Sequence, residues 1–253
     1  MKNLIFKIDY NIAELFHKIY LWGGNFTNTL MKGISLLAEM GLLFLLIGFV
    51  FILFKKTRKV GGAILISVVI GFLITNVILK NSVERMRPFE NGSSSYFKWW
   101  LSAGAEFEDG FSFPSGHTTA TTAFSLAIFL TTNKNKSWPI LFFPVIMASS
   151  RVYLMVHYFS DCLGAFAVGT VSSIIAYLII KWIYVSKLKL FVWARDFSLF
   201  KFEKKKVVEA PIIKEEVKEE SYTYLTQQQE KETAKTESTH QESDSKKDNP
   251  NEE

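Results

Sequence analysis

Three short polar stretches hold the residues of this chain that are equipped for chemistry. They are Lys80-Asn81-Ser82-Val83-Glu84-Arg85-Met86-Arg87-Pro88, Pro114-Ser115-Gly116-His117, and Ser150-Arg151 through His157 to Asp161. Together they offer strong cations, two histidines and a carboxylate, a set of parts for binding a phosphoryl group and moving it. Phosphoryl transfer rests on positioning and charge stabilisation: the equatorial oxygens need cationic or N–H donors, and nucleophile and leaving group stand in line on opposite sides. Lys80, Arg87 and Arg151 supply the cations, and an arginine fork meets two phosphate oxygens at once. Pro114 suits a helix start. The N–H groups of Ser115, Gly116 and His117 would then point outward at a helix N-terminus, a ready anion site, and Gly116 allows close backbone approach.

His157 and Asp161 lie four residues apart. If a helix begins by His157, both occupy one face and can hydrogen-bond. A carboxylate on one imidazole nitrogen fixes the tautomer and leaves the other nucleophilic. His117 sits at the anion site and fits a general acid for the leaving oxygen. Each piece also has a plainer reading. Lys80, Arg85 and Arg87 suit a membrane edge as anchors, Pro114-Ser115-Gly116 suits any helix start, and His157 alone suits a satisfied polar residue. Convergence of the three stretches on one face is what favours a site.

The elements that must bring them together are apolar. Hydrophobic residues make up 49% of the 253-residue chain, and they are gathered into runs with charges at their ends. The predicted fold class is all-α, a polytopic membrane helical bundle with five firm spans: Ile34–Phe54, Gly62–Leu79, His117–Thr131, Trp138–Leu154 and Asp161–Tyr184. Residues 3–22 carry Asn3, Lys7, Asn11, Glu14 and Lys18 at helical spacing against Leu4, Ile8, Ile12, Leu15 and Ile19. That pattern predicts an amphipathic helix in the interface, or a weakly hydrophobic extra span. Lys7, Asp9, Glu14 and Lys18 also argue against a cleavable signal sequence. Glu39, inside the first run, is expected to make a buried structural hydrogen bond, and Trp99 and Trp100, in a polar loop over 81–113, to sit at the membrane interface.

Alternation fixes sidedness. The basic connections at Lys55, Lys56, Arg58 and Lys59, at Lys134 and Lys136, and at Lys187 and Lys189 all fall on one side, which reads as cytoplasmic. All three polar stretches then fall on the other, extracytoplasmic side. The domain reading is 1–33 N-terminal helix and connection, 34–185 membrane domain, 186–206 basic juxtamembrane segment suited to anionic headgroups, and 207–253 a disordered polar tail. The net charge of +5 hides that split between a basic segment and an acidic tail. The single Cys162 permits no intramolecular disulfide and reads as an apolar filler. No aromatic-interleaved basic patch points to nucleic acid, and nothing in the chain indicates its oligomeric state.

On these residues the chain resembles the type 2 phosphatidic acid phosphatase family, in a superfamily shared with the vanadium haloperoxidases. The three-part signature K-x6-RP, PSGH and SR-x5-H-x3-D is met by Lys80 with Arg87-Pro88, by Pro114-Ser115-Gly116-His117, and by Ser150-Arg151 with His157 and Asp161. The resemblance implies a lipid phosphate phosphatase with no metal or cofactor. His157 would attack phosphorus and form a phosphohistidine, Asp161 would orient it, and His117 would protonate the leaving group. Lys80, Arg87, Ser115, Gly116 and Arg151 would hold the phosphoryl group. Membrane members of the family usually have six spans. The implied substrates are membrane lipids: phosphatidic acid, phosphatidylglycerol phosphate or undecaprenyl diphosphate. The competing classes are a non-catalytic lipid-phosphate binder and a vanadate-dependent haloperoxidase.

Overall fold

The computed structural model describes residues 2–39, 41–186 and 223–231, and the chain divides into two units, Met1–Lys201 and Phe202–Glu253. In the first unit the apolar runs become helices. The N-terminal helix α1, Lys2–Glu39, breaks at Gly24, whose φ of 51° and ψ of −133° are open to glycine. Helix α2 follows as Gly41–Leu53. Helix α3, Arg58–Phe72, runs on through a π-helical stretch, Leu73–Leu79, into α4, Lys80–Val83. A short α5, Ser94–Ser102, lies in the long loop before α6, Gly116–Thr131. Then come α7, Lys134–Ser137, α8, Phe142–Tyr153, and α9, Phe159–Val185. No strand occurs among the described residues.

Helices α3, α6 and α9 pack on one another, with α2 against α3 and α8 against α1 and α6. Phe44, Ile64, Val68, Phe124 and Met147 form the main core, Phe44 stacking on Phe124 at 4.6 Å. The contacts between helices use small and hydroxyl residues, as in a bilayer, where apolar surface gains nothing by leaving lipid and close packing must hold helices together. A Cβ on Gly61 would lie 2.4 Å from the Gly48 carbonyl oxygen, so α2 and α3 touch backbone to backbone. The hydroxyls of Ser67 and Ser173 lie 3.0 Å apart and both reach the Ala123 carbonyl, joining α3, α6 and α9. The exterior is oily instead: Leu42, Phe72, Leu178 and Trp182 are exposed.

Of the five expected spans, length and apolar composition pick out fewer among the described residues. Two continuous stretches, Arg58–Glu90 and Phe159–Val185, are long and apolar enough to cross a membrane. A third arises if Asn3–Leu37 and Gly41–Leu53, bent by 50°, count as one span. The expected span Ile34–Phe54 is divided between α1 and α2, and residues 3–22 form the part of α1 before the break at Gly24, where an N-terminal helix was expected. Helices α6 and α8 have only 16 and 12 residues, about 24 and 18 Å at 1.5 Å per residue, below the roughly 30 Å of a hydrocarbon core. Ser115 ends α6 on one side, and Pro139 in the 3-10 turn Trp138–Leu141 shortens α8. Trp99 and Trp100 are not lone interface anchors: they pack in an aromatic cluster with His17 and Phe89. The side chain of Glu39 and the basic segment lie outside the described residues. In the second unit, where a structureless tail was expected, residues 223–231 form a helix with every residue exposed; the rest of the tail lies outside the described residues.

Candidate active site

Chain direction brings the polar stretches together. Helices α3 and α8 run toward one end of the bundle and deliver Lys80 and Arg151. Helices α6 and α9 start there with His117 and Asp161, and His157 lies in the turn between α8 and α9. The basic turns around Lys55 and Lys134 fall at the opposite ends of the same helices. The π-helical stretch matters for Lys80: its wider winding shifts the azimuth of everything after it relative to an ordinary helix. Within it, Thr75 donates to the Thr119 hydroxyl at 3.1 Å, which ties the insertion to α6.

His157 is 2% exposed. Its Nδ1 is 2.8 Å from the Ser112 carbonyl oxygen, which can only accept, so Nδ1 carries the proton and Nε2 keeps its lone pair. Burial pushes the imidazole down to about 4; Asp161 opposes this and Arg87 and Arg151 add to it. His157 is therefore neutral at pH 7.

The expected direct hydrogen bond from Asp161 to His157 is replaced by a longer approach, 3.6 Å from Oδ2 to Nδ1. The reason is local. Helix α9 begins at Phe159, not at His157, and the Asp161 carboxylate folds back to accept the Tyr158 N–H at 2.8 Å. It also accepts from the Ser112 hydroxyl and, at 2.5 Å, from Arg85 Nη1. Asp161 thus holds Ser112, whose carbonyl holds His157.

Arg85 is more than a membrane-edge anchor. Its other terminal nitrogen donates to Asp9 at 2.8 Å, and Asp9 also accepts from the Ser160 N–H at 2.8 Å and its hydroxyl at 2.7 Å. Asp9 is 1% exposed, so α1 closes this network from outside the motifs. Asp9→Asn should lower kcat about 10- to 100-fold, since a small displacement of reacting groups costs about that much, while Asp9→Glu should recover part of the loss. Steady-state kinetics of both variants checks this.

The cations divide their donors. Arg87 gives Nε to Gly110 O at 2.8 Å, Nη2 to Asp109 O at 2.8 Å and Nη1 to Val156 O at 3.0 Å. Its remaining donors face the site, with Nη1 3.5 Å from His157 Nε2 and Nη2 3.5 Å from Glu108. Arg151, fully buried, donates from Nη1 to Ser35 and from Nη2 to Glu108, and its Nε has no hydrogen-bond partner. Lys80 lines the same space.

Ser115 is tied into the start of α6. Its N–H points to the Asp161 carbonyl at 3.3 Å, and its hydroxyl accepts from the Thr118 N–H and hydroxyl. Ser115 caps α6, which leaves the first-turn N–H groups of Gly116 and His117 without intrahelical carbonyls. His117 Nε2 has no hydrogen-bond partner; Glu108 Oε1 lies 3.9 Å away.

Three residues that contact the expected site residues escaped the sequence reading: Asp9, Ser112 and Glu108. Ser112 and Glu108 lie just before Pro114, but no spacing marks them, and Asp9 meets the site only through folding. Glu108, 17% exposed, is held below its ordinary value: burial pushes it up, and Arg151, His117, His157 and Arg87 outweigh that.

Lys80, Glu108, His117 and His157 line one end of a cavity of about 490 Å³ whose other walls include Leu42, Leu45, Val68 and Phe72.

Comparison with known proteins places this geometry. The PAP2 superfamily matches residues 59–184, a segment that contains all three polar stretches. Lipid A 4'-phosphatase of Porphyromonas gingivalis is 29% identical over 171 residues, covering 63% of this chain and 70% of that protein. Undecaprenyl-diphosphatase of Sulfolobus acidocaldarius is 28% identical over 120 residues, 47% of this chain and 54% of that protein. A crystal structure of a transmembrane PAP2-type phosphatidylglycerolphosphate phosphatase from Bacillus subtilis shares the fold, with a TM-score of 0.56 and 24% identity, covering 74% of this chain and 90% of that one. Through residues 59–184, this chain belongs to the PAP2 superfamily.

Proposed function

We propose that this protein is an integral-membrane lipid phosphatase that hydrolyses a phosphomonoester or diphosphate of a membrane lipid without a metal, through a phosphohistidine. The observation that carries the reading is the cavity: its lining joins Lys80, His117 and His157 to an aliphatic and aromatic wall of Leu42, Leu45, Val68 and Phe72. That combination suits a ligand with an anionic head and a hydrocarbon tail. The named relatives act on lipid phosphates, which supports the same class here.

The steps follow from the donors. Lys80, Arg151, the N–H groups of Arg87 that its backbone carbonyl contacts leave over, and the first-turn N–H groups of α6 hold the phosphoryl oxygens. His157 Nε2 attacks phosphorus while the bond from phosphorus to the leaving oxygen breaks, and His117, drawn into its charged form by the negative charge of the bound phosphate, gives that oxygen its proton and becomes neutral. Water then attacks the phosphorus–nitrogen bond, neutral His117 takes the water's proton, and phosphate leaves with His157 restored. Asp161 and Arg85 keep the Ser112 carbonyl where it fixes the His157 tautomer. The basic turns opposite the site support an extracytoplasmic active site with the C-terminal tail inside.

The test is phosphate release by the detergent-purified protein in the presence of chelator. Phosphatidic acid, phosphatidylglycerol phosphate, undecaprenyl diphosphate, lipid A and a soluble phosphomonoester form the panel. Release from a lipid that persists in chelator is expected, faster than from the soluble ester. Release from none of the lipids would overturn the reading in favour of a lipid-phosphate binder.

A further inference from the structure

Glu108 stands where an anionic ligand belongs. Its carboxylate contacts Arg151, lies 3.5 Å from Arg87 Nη2 and 3.9 Å from His117 Nε2, and lines the polar end of the cavity with Lys80 and His157. These are the groups assigned above to the phosphoryl oxygens and the leaving oxygen. Their other surroundings leave them short of partners, since His117 Nε2 and Arg151 Nε have none by hydrogen bonding. Arg87 and Arg151 are both fully buried. In a site without ligand, two buried cations side by side would be strongly unfavourable. The carboxylate answers that, and its ionisation is favoured by the same cations.

We propose that Glu108 is a built-in stand-in for phosphate: in the free protein its carboxylate occupies the cation cluster, and a phosphate group binds by displacing it. This rests on the reading of the cluster as a phosphoryl site. The backbone around Glu108 is anchored, because Arg87 holds the carbonyls of Asp109 and Gly110. The exchange therefore needs only rotation of the Glu108 side chain toward the open cavity. After hydrolysis the carboxylate returns and competes with inorganic phosphate, which favours product release. A side chain that fills the site most of the time weakens apparent affinity in proportion to the time the site is open.

Calorimetric titration of the full-length, detergent-purified protein with inorganic phosphate tests this. Glu108→Gln keeps the size of the side chain and removes its charge. It is expected to bind phosphate about tenfold more tightly or better, the factor for a site open about one-tenth of the time. Its unliganded thermal midpoint should fall, and the rise in that midpoint with phosphate should exceed that of the wild type. Glu108→Asp keeps the charge and shortens the reach, so intermediate tightening is expected; it decides the matter if the glutamine variant does not fold. Unchanged or weaker phosphate binding in the folded variants would overturn the proposal. So would a fall in kcat with phosphate affinity unchanged, which would make Glu108 a partner of His117 instead. Because the titration needs no turnover, absence of lipid hydrolysis by the wild type would count against the proposed function and not against this one.

Discussion

Replacing His157 with alanine should lower turnover of every substrate by on the order of 10^4-fold or more, the scale on which loss of a nucleophile is felt. It should also remove any acid-labile phosphoenzyme from a rapidly quenched reaction. The argument is geometric. The Ser112 carbonyl takes the proton-bearing Nδ1 at 2.8 Å, so the lone pair of Nε2 faces the cavity beside Arg87. No neighbouring side chain can replace it, because His117 begins another helix. The loss should be the same for good and poor leaving groups, since no covalent intermediate forms in either case. Near wild-type phosphate release by a folded His157→Ala protein would refute the assignment. The same residue sets a pH signature in stability. Its imidazole titrates at about 4 when folded and 6.5 when exposed. Between those values the unfolded chain binds more protons, so the stability His157 lends is full above pH 6.5 and is lost as pH falls toward 4. Thermal unfolding of His157→Gln should show a flatter pH dependence across that window.

The second large effect is at His117. His117→Ala should slow lipid hydrolysis about 10^2- to 10^4-fold, the usual contribution of a positioned general acid. Unlike the His157 loss, this one should depend on the leaving group. An alkoxide leaving group needs the proton, whereas a nitrophenolate leaves without it, so nitrophenyl phosphate should suffer far less. The structure supports the role by leaving His117 Nε2 at the polar end of the cavity with no hydrogen-bond partner. Kinetics on a lipid and a nitrophenyl ester, for both histidine variants, separates the two roles. An equal loss on both esters in His117→Ala would reassign this residue to phosphate binding.

Much of the site was legible because its chemistry is local in sequence. Pro114-Ser115-Gly116-His117 announces a helix start, and α6 does begin at Gly116. Lys80 and Arg151 stand at the ends of apolar runs, and the alternation of runs put them on one face with the histidines. The number of spans was less legible than the site. Trp138–Leu154 is apolar as far as Ala148 but opens in a 3-10 turn at Pro139, and Ile34–Phe54 breaks between α1 and α2. Hydropathy measures what a segment tolerates around it; it does not measure how far the helix continues. At Asp161 the spacing brought the carboxylate to 3.6 Å from His157, short of a direct hydrogen bond. A separation of four residues guarantees a contact only inside a helix, and His157 lies just outside one.

By itself the sequence determined the parts, their order and the end of the bundle on which they meet, because helix direction and residue type follow from local pattern. The tertiary structure alone decided their connections. It brought Asp9 from α1 to Arg85, put the Ser112 carbonyl on His157, and laid Glu108 across Arg87 and Arg151. Each of these is a pairing of polar groups far apart in the chain or in a loop without periodicity. Such groups are chosen by burial, which forces every donor and acceptor to find a partner, and burial exists only once the helices have packed.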